Sequence, residues 1–120
     1  MITRVVIDTN VVMKWIPGSE ESEVEAARSI YSTIKTQNIE MWAPEYLLIE
    51  SLQVFLRKRM LKPIMAIEGV ELIKKCGLGF VQLGIENFSD LAAISNKFNQ
   101  SVYDAMFLYT AKLKECKLVT

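Results

Sequence analysis

Apolar residues fall along this chain in short β-branched runs, separated by longer stretches of helical periodicity. Val5, Val6 and Ile7 form the first run, the pattern of a strand buried on both faces. It ends abruptly in Asp8, followed by the polar Thr9 and Asn10. Val11 to Trp15 continues apolar, and Pro17-Gly18 marks a turn. Ser22 and Glu25 stand at capping-box spacing, and Val24, Ala27, Ile30, Tyr31 and Ile34 recur at helical intervals, which predicts a first helix. Ile39 to Ala43 reads as a short second strand stopped by Pro44, a residue that also suits the first turn of a following helix. From Tyr46 to Leu56 the chain is apolar nearly all round, which predicts a helix buried on most sides and leaving the core at Arg57, Lys58 and Arg59. Pro63 opens another helix with the stripe Ile64, Ile67, Val70 and Ile73, closed by Gly77 as its cap. Phe80 to Leu83 reads as a third strand. A helix carrying Leu91, Ile94 and Phe98 follows Asn87 and Ser89. A last helix starts at Ser101, with Phe107, Leu108 and Ala111 inward, and Lys117 to Thr120 reads as a fourth strand.

The predicted order is therefore strand, helix, strand, two helices, strand, two helices, strand. Strands separated by helices imply crossovers and a parallel sheet covered on both faces, an α/β fold. No repeat, low-complexity segment or linker interrupts residues 1–120, so one domain is expected. In such sheets ligands bind beyond the carboxyl ends of the strands, and Asp8 sits at such an end.

Composition narrows the chemistry. With 14 basic and 14 acidic residues the chain is neutral, so any contact with nucleic acid must rest on a local patch. There is no histidine, which excludes Ser-His-Asp and Cys-His catalysis and every His-ligated metal site. Cys76 and Cys116 read as two reduced thiols. The first strand begins too near Met1 for a signal peptide, and the apolar runs are too short for a membrane span. The expectation is a soluble, cytoplasmic domain.

Three carboxylates interrupt apolar surroundings: Asp8, Glu50 and Asp104. Asp8 with Thr9 and Asn10 also reads as a turn that satisfies backbone donors. Asp104, three residues after Ser101, also reads as part of a helix cap. Glu50 is harder to account for locally. A carboxylate inside an apolar helix is costly unless paired with a cation or a metal. Its helical neighbours Tyr46, Leu47, Gln53 and Val54 supply no base, which leaves a distant arginine such as Arg4 or Arg28 as the alternative. Were the three acids to converge, their mutual repulsion would call for a divalent cation. With hard oxygen ligands only, that cation is Mg²⁺ or Mn²⁺, and the implied chemistry is phosphodiester hydrolysis.

RVVIDTNVVMKW, APEYLLIE, QSVYDAMFLYTAKL and the closing KLVT resemble the successive motifs of PIN-domain ribonucleases, and most closely the VapC-type toxins of toxin–antitoxin pairs. The resemblance covers essentially the whole chain. It implies a three-layer α/β/α fold around a parallel sheet of about four to five strands. It also implies Mg²⁺- or Mn²⁺-dependent endonuclease activity on RNA, homodimers, and an antitoxin partner in the toxin members. Its acids fall on Asp8, Glu50 and Asp104, and its small polar residue on Asn10. Thr9 and Ser101 are the further candidates for contacts to substrate or to the ligands. Family members usually continue past the KLVT-like strand into another acid, whereas this chain stops at Thr120, which puts the fourth ligand and a second metal in doubt and suggests a domain trimmed of its last strand and C-terminal tail.

Other features have plainer readings. Arg57, Lys58, Arg59 and Lys62 read as a solvated helix end, with RNA phosphate contact as the sharper alternative. Trp15 reads as core or interface before it reads as a base-stacking residue. Two rival functions remain: a non-catalytic PIN-like interaction module with a degenerate acidic site, and a phosphatase-like or receiver-like α/β domain. The latter needs a lysine near a later strand end that the sequence does not provide convincingly.

Overall fold

The run Val5–Ile7 forms the buried part of strand β1 (Thr3–Ile7), with Val6 and Ile7 almost fully out of solvent. The computed structural model describes residues 2–16 and 20–120, and of residues 20–24, 26, 27 and 31 the backbone alone. The Pro17-Gly18 turn, the Ser22 end of the predicted capping box and the stripe positions Val24, Ala27 and Tyr31 lie outside the described residues or side chains. After β1 come helices α1 (Thr9–Trp15) and α2 (Glu20–Thr36), strand β2 (Ile39–Pro44), and helix α3 (Tyr46–Gln53) continuing into a π-helical turn (Val54–Lys58). Helix α4 (Pro63–Lys74), strand β3 (Gly79–Val81), a 3₁₀ turn (Ile85–Asn87), helices α5 (Phe88–Phe98) and α6 (Val102–Leu113) and strand β4 (Lys117–Val119) complete the order.

The sheet is parallel throughout, with strand order β3-β2-β1-β4. The chain thus steps outward from β1 to β2 to β3, then returns across the sheet to place β4 on the far side of β1. With right-handed crossovers, the outward steps lay their helices on one face and the return lays α5 and α6 on the other. The contacts agree: α2 packs on α1 and α4, α3 packs on α4, and α5 packs on α6, which itself lies along β1, β2 and β4. This is the three-layer α/β/α arrangement with a parallel sheet. Because the winding direction reverses at β1, the crevice between the carboxyl ends of β1 and β4 is the switch point where such sheets bind ligands.

Val11 to Trp15, which the sequence marked only as an apolar continuation, is part of helix α1, started by Asp8 as its cap and anchored by buried Thr9, Val12 and Ile16. The β-branched run hid it, because Val11 and Val12 extend the pattern of β1 while the cap three residues earlier decides the backbone. Two expectations need correction. Tyr46 to Leu56 is not buried on most sides. Leu47, Ser51 and Phe55 face the core while Ile49 is 64% exposed, and the helix widens to π geometry from Val54, where Arg59 N–H reaches Val54 O at 3.0 Å. In α4 the inward face is Ala66, Gly69 and Ile73, and Ile64 and Ile67 lie outside. The reason is closeness. A Cβ on Gly69 would stand 2.7 Å from the Phe55 ring, so only small residues fit where the two helices meet. The same kind of shift leaves Phe98 of α5 exposed, while Leu91 is buried as expected. Gly77 does occupy the left-handed region after α4, at φ 92°.

Candidate functional site

Asp8 follows directly on β1, at the switch point. Its backbone N–H donates to Val119 O of β4 at 3.2 Å, which holds the strand end in place. Its side chain meets both readings drawn from the sequence. Oδ1 accepts from Val11 N–H at 3.1 Å and so caps α1, while the residue also lines the cleft beyond the sheet. One carboxylate oxygen is thus committed to the helix, and a capped side chain is a rigid one.

Glu50 enters from α3. It is half-buried, not deep in an apolar interior, and neither Arg4 nor Arg28 pairs with it among the described residues. Its partner is Thr9, whose Oγ1 donates a close hydrogen bond to Glu50 Oε1. Thr9 is almost fully buried, so this bond joins α1 to α3 and orients the carboxylate toward the cleft. Asp104 enters from the first turn of α6 and is exposed. Ser101 holds that turn: its Oγ accepts from Asp104 N–H at 3.1 Å. Ser101 therefore acts on helix α6 and lies outside the residues that line the cleft, whereas Thr9 and Asn10 line it.

Asp8, Glu50 and Asp104, separated by 42 and 54 positions in the chain, line one cleft of about 430 Å³ together with Asn10, Gln53 and Lys58. Among the described residues no lysine or arginine forms an ion pair with any of the three acids. Their field reaches Tyr46, one turn before Glu50: burial first, and then the charges of Glu50 and Asp104 together with Tyr103, hold its phenol above the ordinary value. Tyr46 stacks on Tyr103, with ring centroids 4.9 Å apart and planes 16° from parallel, and meets Phe107 edge-on at 6.5 Å.

The donor set is that of a hard cation, because carboxylate, hydroxyl and amide oxygens line the cleft and neither thiol does. The acids are spread around the cleft. Among the described residues no three acidic or thiol side chains come together as a group that could hold a metal ion. Mg²⁺ keeps several waters and is bound through one or two carboxylates, so it does not require three gathered ligands.

In the sequence Lys58 reads as part of a basic cluster at a solvated helix end, with RNA phosphate contact as the sharper alternative, and the structure places it on the cleft wall. Its signal lay in the spacing: Glu50, Val54 and Lys58 are successive turns on one helix side, and the π turn carries Lys58 to the cleft wall. Gln53, Gln100 and Phe107 line the cleft as well and carry no comparable signal.

A parallel, doubly wound sheet with a cleft at its switch point places the molecule among the open α/β domains that bind ligands beyond the carboxyl ends of their strands. Residues 5–120 match the PIN domain family, and the chain belongs to it. PIN domains are in general nucleases that usually depend on divalent metals. No curated protein matches the chain. Among the described residues no helix is long and apolar enough to cross a membrane.

Proposed function

We propose that this chain is a divalent-cation-dependent endoribonuclease, the toxin of a toxin–antitoxin pair, acting in the cytoplasm as a homodimer until its antitoxin binds. The observation that carries the nuclease reading is that Asp8, Glu50 and Asp104 come from three distant elements to line one cleft, with no ion pair to any of them among the described residues. The VapC-like run of motifs supports the toxin assignment.

In this reading each residue has a task that follows from its setting. Asp8 sits on a strand end and a helix cap, so its free oxygen is held still. Glu50 is aimed by Thr9. Asp104 rides on the first turn of α6, where the helix dipole favours its charge. By itself such a cleft repels a phosphodiester, since three carboxylates face a polyanion. A bound Mg²⁺ or Mn²⁺ supplies charge neutralisation at the phosphoryl group and acidifies the attacking water. Asn10 offers a neutral amide to the substrate, and Lys58 an ammonium to a flanking phosphate.

The test is cleavage of RNA by the wild type and by Asp8→Asn, each with and without chelator. Asparagine still caps α1, so the variant removes charge and leaves the fold. Cleavage is expected only with cation, and the variant's rate is expected to fall by about 100-fold or more. Undiminished cleavage by the variant, or cleavage in chelator, would remove this reading. The spread of the acids favours one alternative, a PIN-fold interaction module without activity. Calorimetric titration with Mn²⁺ separates the two, since the module binds no cation at millimolar metal.

A further inference from the structure

We infer that the outward face of Tyr103 is a stacking platform for an unpaired RNA base next to the scissile phosphate, held rigid by Tyr46 behind it. This inference rests on the nuclease reading above and adds to it a residue of this chain that would contact the base.

Three aromatic rings form a series from the cleft to the surface. Phe107 lines the cleft and is 4% exposed. Tyr46 meets it edge-on, and Tyr103 lies flat against Tyr46. Tyr103 lies outside the residues that line the cleft and remains 56% exposed although Tyr46 stacks on one of its faces. An exposed aromatic is ordinary by itself. This one is adjacent in sequence to Asp104, stacked on a residue one turn before Glu50, and fixed in orientation by a partner that is itself packed on the cleft wall. A ring already held in place loses little freedom when a base settles on it, which is the condition for a productive stacking contact.

The chemistry of the cleft makes such a contact useful. The acids engage phosphate only through a cation, and that contact is the same for every nucleotide. A flat neutral ring grips any base by its π face and excludes a paired one, whose faces are covered by its neighbours in the duplex. The ring therefore selects unpaired RNA where the carboxylates cannot.

The experiment measures kcat and KM on a short unstructured oligoribonucleotide in Mn²⁺, for wild type, Tyr103→Ala, Tyr103→Leu and Tyr103→Phe, with thermal unfolding of each. Loss of the ring in Tyr103→Ala and Tyr103→Leu is expected to raise KM roughly tenfold with kcat little changed, and Tyr103→Phe to restore KM. The ratio of KM between Tyr103→Leu and wild type is expected to hold as salt is raised, because stacking, unlike phosphate contact, releases no counterions. A KM for Tyr103→Leu equal to that of Tyr103→Phe overturns the inference, since bulk without a π face would then suffice. If the wild type cleaves RNA while every variant keeps its KM, this inference falls and the nuclease reading stands. If the wild type neither binds nor cleaves RNA, both fall.

Discussion

At the amino end of the sheet a carboxylate is fully occupied; at the carboxyl end three line a cleft without an ion pair among the described residues. Arg4 of β1 and Glu40 of β2 are register partners, and Arg4 Nε lies 3.0 Å from Glu40 Oε1. Trp42 Nε1–H donates to the same oxygen at 2.6 Å, Arg4 Nη1 donates to Lys114 O at 3.3 Å, and the Lys114 ammonium stands 3.6 Å over the Trp42 ring. The Trp42 hydrogen bond, ahead of Arg4, holds the Glu40 carboxyl below its ordinary value. At the other end Asp8, Glu50 and Asp104 have a backbone N–H, a threonine hydroxyl and a helix turn for company, and none is ion-paired among the described residues, although Lys58 shares their cleft. Satisfied charge at one end serves the fold. At the other end the three acids line a cleft without an ion pair among the described residues, which is the feature the proposed function rests on.

The contrast makes opposite demands on substitutions at the two ends. The largest effect is expected from Glu50→Gln. Glutamine still accepts from Thr9, so only charge is lost, and RNA cleavage should fall by about 100-fold or more, while the thermal midpoint holds or rises as repulsion among the acids is relieved. A rate close to wild type would make Glu50 as structural as Glu40. Next comes Lys58→Ala, which removes the ammonium from the cleft wall. KM for RNA should rise on the order of tenfold, and the slope of affinity against salt should drop by about one. An unchanged salt slope would return Lys58 to the solvated helix end that its neighbours suggest. The smallest effect belongs to Glu40→Gln. Cleavage is expected to be unaffected, with the thermal midpoint lowered only slightly, because both side chains of the pair are partly exposed and solvent screens the interaction. Its pH dependence has a definite sign. A carboxyl held below its ordinary 4.5 stabilises the fold above that pH and loses the contribution as the pH falls through its lowered value. Thermal unfolding of wild type and variant should therefore differ at neutral pH and converge in acid.

Much of this was readable from residues alone. The β-branched run Val5–Ile7 gave away the central strand, and the alternation of strands with helical stripes gave away the parallel sheet. Asp8, Glu50 and Asp104 were visible as interruptions of apolar stretches. Errors arose wherever a pattern was local and the deciding contact was not. Ile64 and Ile67 made a convincing stripe, yet the close approach of Phe55 to Gly69 turned a different face of α4 inward. Glu50 looked buried because its neighbours in sequence are apolar, yet α3 forms a cleft wall and leaves it half open.

The sequence by itself therefore determined the elements, their order and the kinds of side chain available for chemistry, since hydrophobic periodicity and the absence of histidine act residue by residue. Only the tertiary structure decided which carboxylates meet. Placing β4 beside β1 and wrapping α3 and α6 around that edge brings residues 8, 50 and 104 to one cleft, and sends Arg4 to the opposite end, where Glu40 takes its charge. No local pattern carries that information, because the contacts that set it join residues tens of positions apart.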